Sequence, residues 1–146
     1  MLQQTVLSLK YGIDNLSHTH PQKDIGMRYK TMKKMSIIYL AYNTNDAIQN
    51  IRTGGIALRI KIGQTANSDV RASQLKKKGE YLDRYIEVPN NAAVRQYIEG
   101  YVRLKITNFV PNVHNGYDHF TIDQHAYKPI ADHFGEWVYE ALKGIG

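Results

Sequence analysis

The chain has 146 residues, 42% of them apolar, and a formal net charge of +6 from 19 Lys and Arg against 13 Asp and Glu. That is enough for one hydrophobic core and too little for two. Cysteine is absent, which excludes disulfides, thiolate zinc sites and thiol nucleophiles and suits a reducing cytoplasm.

No run of about 18 apolar residues offers a membrane span, so no membrane partner is expected. The opening MLQQTVLSLKYGIDN carries Lys10 and lacks a small-residue cleavage site, so it reads poorly as a signal peptide. The basic excess is uneven. Residues 1–34 hold Lys10, Lys23, Arg28, Lys30, Lys33 and Lys34 against Asp14 and Asp24, whereas residues 35–146 hold thirteen basic against eleven acidic residues. A basic arm on a near-neutral domain suits a polyanion such as nucleic acid, or is simply a solvated tail.

Residues 1–34 have no clean hydrophobic period, and His20-Pro21 disfavours helix, so they read as an arm or extension ahead of a domain over 35–146. From Ser36 the pattern sharpens. SIIYLAY is β-branched and aromatic, as a buried strand is. NTNDAIQNIRTGG reads as a polar connection with room for a helical turn, closed by Gly54-Gly55. IALRIKIG alternates, with Leu58, Ile60 and Ile62 on one face and Arg59 and Lys61 on the other. The short link makes it an antiparallel neighbour of the first strand.

TANSDVRASQLKKKG predicts a helix with its stops written in. Asn67 or Ser68 can cap it, Asp69 suits its start, Lys76 to Lys78 suit its end, and Gly79 can terminate it. YLDRYIEV alternates as a third strand. NAAVRQYIEGYVRLKI is a second helix with Val94, Ile98, Tyr101, Val102 and Lys105 on one stripe. TNFVPNVHNG is a loop and YDHFTI a short strand candidate. KPIADHFGEWVYEALKGIG is a last helix, with Pro129 in its first turn and Ile130, Phe134, Trp137, Val138, Ala141 and Ile145 inward. The expected fold is α+β: a small three-stranded, mostly antiparallel sheet flanked by helices.

Four residues sit awkwardly in a purely structural account. Tyr39 lies in mid-strand, where an aromatic also packs well. Lys61 lies in a strand just before Gly63, which lets a backbone or ligand come close, although a solvent-facing lysine fits the alternation too. Arg71 falls in the first helical turn, where a cation opposes the macrodipole; pairing with Asp or Glu is the plain alternative. Glu99 borders the apolar stripe of its helix, with Arg95 and Arg103 each four residues away as salt-bridge partners. Together, a tyrosine, a lysine, an arginine and a carboxylate are the parts needed to cut a phosphodiester. A carboxylate-held metal neutralises charge, an arginine forks onto phosphate oxygens, and a phenol of lowered pKa takes a proton from water.

IIYL, KIGQT, SDVRASQL and RQYIEGYV, in that order over residues 36–106, resemble the GIY-YIG nuclease superfamily. Its first motif is a strand ending Gly-Ile-Tyr and its second a strand ending Tyr-Ile-Gly. An arginine follows in the next helix, and a glutamate in a later helix binds a divalent metal. GYDHF and the Trp137 helix look like the closing part of the same domain. Ile37 or Ile38 stands in place of the first glycine. Lys61 stands in place of the second tyrosine, which is similar to a phage and prophage branch reading Lys-Ile-Gly.

The resemblance implies a cytoplasmic, phage-like DNA endonuclease with one Mg²⁺ or Mn²⁺. Tyr39 would be the base or position the water, and Lys61 would depress its pKa or orient the water. Arg71 would hold the phosphate and Glu99 the metal. Tyr42 or His119 would fill a supporting role, Gly63 a close approach, and Arg28, Lys30, Lys33 and Lys34 the nucleic-acid backbone contacts. Weak sequence specificity or a homodimer is expected. The rival expectation is a domain of this fold that has lost catalysis and serves as a nucleic-acid or protein interaction module.

Overall fold

In this computed structural model the described residues are 34–110, 113–116 and 119–145. The basic arm expected over 1–34 lies outside them, with Arg28, Lys30 and Lys33; only Lys34 is described, exposed ahead of the first strand.

Strand β1 (Ile37–Asn43) is buried along its whole length. A run without alternation is what a strand covered on both faces shows. The connection after it is not the polar loop with one turn that its composition suggests. It is a helix, α1 (Thr44–Thr53), started by the Asn43 side chain, which accepts from the Asp46 amide at 2.9 Å. Gly54 ends it in the left-handed region at φ 77°. Only Ala47 and Asn50 of α1 are buried, so little apolar periodicity announces it.

Strand β2 (Ala57–Thr65) pairs antiparallel with β1, setting Gly63 opposite Tyr39 and Lys61 opposite Ala41. Helix α2 (Ser68–Lys77) then lays Ala72 and Leu75 against Ile37, Tyr39, Ala41 and Leu82 on one face of the sheet. Asn67 occupies the N-cap position but makes no capping bond. Ser68 is tied elsewhere: its Oγ accepts from the Met35 amide at 3.1 Å and its own amide donates to Met35 O. The start of α2 is thereby fastened to the entry of β1. Gly79 follows the helix at φ 77°, as the sequence suggests.

Strand β3 (Glu80–Glu87) pairs antiparallel with the other edge of β1. The register jumps from Leu40↔Arg84 to Ala41↔Leu82, so Asp83 is the extra residue of a bulge. Its carboxylate is 2% exposed and accepts from Tyr127 Oη at 2.6 Å and Arg84 Nε at 3.4 Å.

Helix α3 (Ala92–Phe109) starts at Asn91, whose side chain accepts from the Val94 amide, and buries Ile98, Val102 and Ile106. A two-residue strand β4 (His114–Asn115) and β5 (Phe120–Asp123) follow, then a 3-10 turn and helix α4 (Tyr127–Ile145). The inward face of α4 is the expected one except at Ile145, which lies beyond the last buried position, Ala141, and is 45% exposed. Among the described residues no helix is long and apolar enough to cross a membrane.

The sheet order is β3-β1-β2-β5-β4, and every pairing is antiparallel. The three expected strands form one side of it, but the three-strand count falls short. β5 adds to β2 from Ala57 to Ile60, with β4 outside it. The larger core lies on the face of Ile38, Leu40, Tyr42, Ile60 and Ile62, beneath α3 and α4. β5 stops at the level of Ile60, and α3 rather than a strand packs along the rest of β2.

Candidate active site

Tyr39 lies in β1, which is paired along both edges, and faces α2. Its ring lies over Gly63: a Cβ built there would fall on the phenol's Oη and Cζ and within 2.8 Å of its Cε2. Glycine is therefore required at this position by the tyrosine across the strand pair. Lys61 sits opposite Ala41, two residues from Tyr39, so it shares Tyr39's face and is its diagonal neighbour.

Arg71 reaches this pair from the first turn of α2. Its Nη1 donates to Tyr39 Oη at 3.1 Å and to Gln64 O at 3.3 Å, and its Nε donates to Gln74 Oε1 at 3.2 Å. None of these acceptors is a carboxylate, so ordinary ion pairing does not account for the misplaced cation. Glu99 comes from α3, beside the stretch of β2 that β5 leaves open. The cleft of about 380 Å³ between these elements is lined by Tyr39, Lys61, Gly63, Arg71, Glu99 and Arg103, among others. All four awkward residues of the sequence thus meet in one place.

Burial sets the electrostatics. It raises the Glu99 carboxyl above its ordinary value, against the pull of Arg103, then Lys61, then Arg71. It also raises the Tyr39 phenol. The hydrogen bond and charge of Arg71 work in the opposite direction, and Glu80 and Glu99 add to the rise. The lowering at Tyr39 comes from Arg71, and burial outweighs it.

The supporting candidates divide. Gly63 belongs to the site. Tyr42 does not: it is an odd number of residues from Tyr39, so the strand turns it to the other face, against Tyr127 and Tyr81 at ring distances of 5.5 and 5.6 Å. His119 precedes β5, accepts the Gly116 amide on its carbonyl, and acts electrostatically on Asp46; it does not line the cleft.

Two roles were not legible in the sequence. Arg103, named there only as a salt-bridge partner for Glu99, also lines the cleft and exerts the largest downward pull on Glu99. Arg95, expected to pair with Glu99, is instead buried and donates to Gln64 Oε1 at 2.8 Å, Ser36 Oγ at 3.0 Å and Asn90 Oδ1 at 2.8 Å. Gln64 therefore links two guanidinium groups, taking Arg95 on its side chain and Arg71 on its carbonyl.

Among the described residues no group of three or more His, Cys, Asp or Glu stands together as a metal cage. Glu99 alone suits only an ion of the Mg²⁺ type, which takes one or two carboxylates and completes its shell with water and phosphate oxygens. In comparisons with protein-family models, curated proteins and solved structures, none matches this chain.

Proposed function

We propose that this chain is a GIY-YIG-like endonuclease that hydrolyses phosphodiester bonds in DNA with one Mg²⁺ or Mn²⁺. The observation that carries the reading is the convergence of Tyr39, Lys61, Arg71 and Glu99, from four separate elements, on one cleft. Hydrolysis forms a bond from water oxygen to phosphorus and breaks the bond to a sugar oxygen; the proton lost by the water passes through solvent to that leaving oxygen. Arg71 and Lys61 stabilise the negative charge of the phosphate. Tyr39, a neutral phenol fixed by Arg71, orients the water. Glu99 would hold the ion, which when bound neutralises charge on the phosphate and the leaving oxygen. Lys34 and the basic residues ahead of it would contact the DNA backbone, and such a domain would cut with weak sequence specificity or act as a homodimer.

The test is cleavage of plasmid and single-stranded DNA with EDTA, Mg²⁺ or Mn²⁺, comparing the wild type with Glu99→Ala and Tyr39→Phe. Metal-dependent cutting that both substitutions reduce is the expected result; cutting that survives Glu99→Ala would remove the reading. One observation favours a second reading, an interaction module without catalysis. Burial raises the Tyr39 pKa, and such a phenol is a poor base at neutral pH. Salt-sensitive DNA binding with no cutting by the wild type would select it.

A further inference from the structure

Gln64 lines the cleft, yet it is neither charged nor one of the four residues that converge there. Its orientation is set by Arg95, which donates from Nε to Gln64 Oε1 at 2.8 Å. Arg95 is 8% exposed and is held by two more acceptors, Ser36 Oγ at 3.0 Å and Asn90 Oδ1 at 2.8 Å, so it cannot follow the amide if that group turns. A guanidinium has donors and no acceptor. Turning the amide over would set its NH₂ against an N–H and leave the buried Arg95 donor unmet. The oxygen of Gln64 therefore stays on Arg95, and its nitrogen is the end left for the cleft.

The two N–H groups on that nitrogen have no partner among the described residues. An ordinary glutamine offers a donor and an acceptor and suits many partners. With its oxygen held by Arg95, this one meets the cleft as a donor. Arg71, which donates to the backbone carbonyl of the same residue at 3.3 Å, brings a positive charge beside it. A neutral donor next to a guanidinium suits an oxygen that carries charge and no hydrogen, as the non-bridging oxygens of a phosphodiester do.

On the phosphodiester reading of the cleft, we infer that Gln64 Nε2 donates to a non-bridging oxygen of the scissile phosphate. Arg95, which touches no substrate, is the positioning residue that keeps the amide this way round.

The test is binding of a short fluorescent DNA duplex to the full chain in EDTA, where no metal-dependent cutting competes, across a range of salt and with a melt for each variant. Gln64→Met removes the donor without changing charge. It should weaken binding about tenfold and leave the salt slope as in the wild type. Gln64→Glu keeps an oxygen for Arg95 but turns the donor into a second acceptor. It should bind more weakly still, although it melts no earlier than the wild type. Gln49→Glu makes the same charge change at an exposed position of α1, by the other end of β2, and should alter affinity less than about twofold.

A Gln64 that served only to hold Arg95 would give the opposite order: Gln64→Glu would bind like Gln49→Glu, and Gln64→Met alone would suffer. That order would overturn the inference, as would wild-type affinity in Gln64→Met. If Gln64→Met melts early, Gln64→Glu carries the test against Gln49→Glu, and equal affinity in those two would overturn it. A cleavage assay on the same proteins separates the two proposals. A wild type that never cuts, with the expected order of binding intact, removes the nuclease and leaves the phosphate contact. Metal-dependent cutting by a wild type whose Gln64 variants bind fully does the reverse.

Discussion

Replacing Gly63 by alanine tests the geometry on which the candidate site depends. The new Cβ would fall on Oη and Cζ of Tyr39. Neither side can give easily, since Gly63 is in a paired strand and Tyr39 is fully buried. To restore ordinary contact the ring must retreat by roughly 1 Å. Overpacking of that kind costs about 1–3 kcal/mol. The retreat also breaks the 3.1 Å bond from Arg71 to Tyr39, worth about 1 kcal/mol more. Alanine recovers about 0.5 kcal/mol through the smaller chain entropy it loses in a strand. The net loss is roughly 1.5–3.5 kcal/mol, a fall in melting temperature of about 10 °C for a domain of this size. Thermal unfolding followed by circular dichroism measures it. A double-mutant cycle with Tyr39→Val isolates the cause, because a short side chain leaves the space above Gly63 open. In that background Gly63→Ala should be neutral or slightly stabilising. A Gly63→Ala protein that melts with the wild type would refute the reasoning, as would a penalty that persists in the Tyr39→Val background.

Arg95→Met keeps the stem but leaves Ser36, Asn90 and Gln64 without their donor. It should cost about 2–4 kcal/mol in chemical denaturation, and a loss below about 0.5 kcal/mol would mean that water replaces the guanidinium. Asp83→Asn removes the charge that faces buried Arg84 and should cost about 3–5 kcal/mol by the same measurement. Asp46 is held below the usual carboxylate range: burial opposes this, but the hydrogen bonds and charge of Arg59 outweigh it. A carboxyl lowered in the folded state stabilises above its unfolded value and loses that contribution as pH falls through its folded value. Asp46→Asn should therefore lower the melting temperature at pH 7 and converge with the wild type below the ordinary value of 3.8. The difference at pH 7 should be under about 1 kcal/mol, since Arg59 is half exposed, and melts across pH check both sign and window.

The parts of the site that sequence reveals are those governed by local rules. Tyr39 and Lys61 were each readable as strand residues, and a short antiparallel link brings their strands together. Arg71 stood out because it violates the dipole preference of its own helix. Tyr42 could have been rejected on parity alone, since residues three apart in a strand face opposite ways. What could not be read depends on long-range placement. No local pattern shows that Gln64 lies within reach of Arg95, and helical spacing favours the Glu99 pairing that the fold does not use. Helix α1 escaped because its buried face is only Ala47 and Asn50, and Asn50 is held by Gln124, 74 residues away. β5 was readable as a short strand candidate in YDHFTI, but not its place in the sheet, where it adds to β2 and Phe120 and Ile122 seal one edge of the core.

Strand β1 lies between two strands and beneath helices on both faces, so its amides can exchange with solvent only when the whole domain opens. Tyr39 is mounted on that strand. Arg71, Glu99 and Arg103 ride on helices held to the sheet mainly by side-chain packing. The cleft consequently has a stiff floor and more yielding walls. On the proposed nuclease reading, accommodation of a DNA strand would fall to α2 and α3, and deuterium uptake should slow there on binding while β1 stays as protected as before.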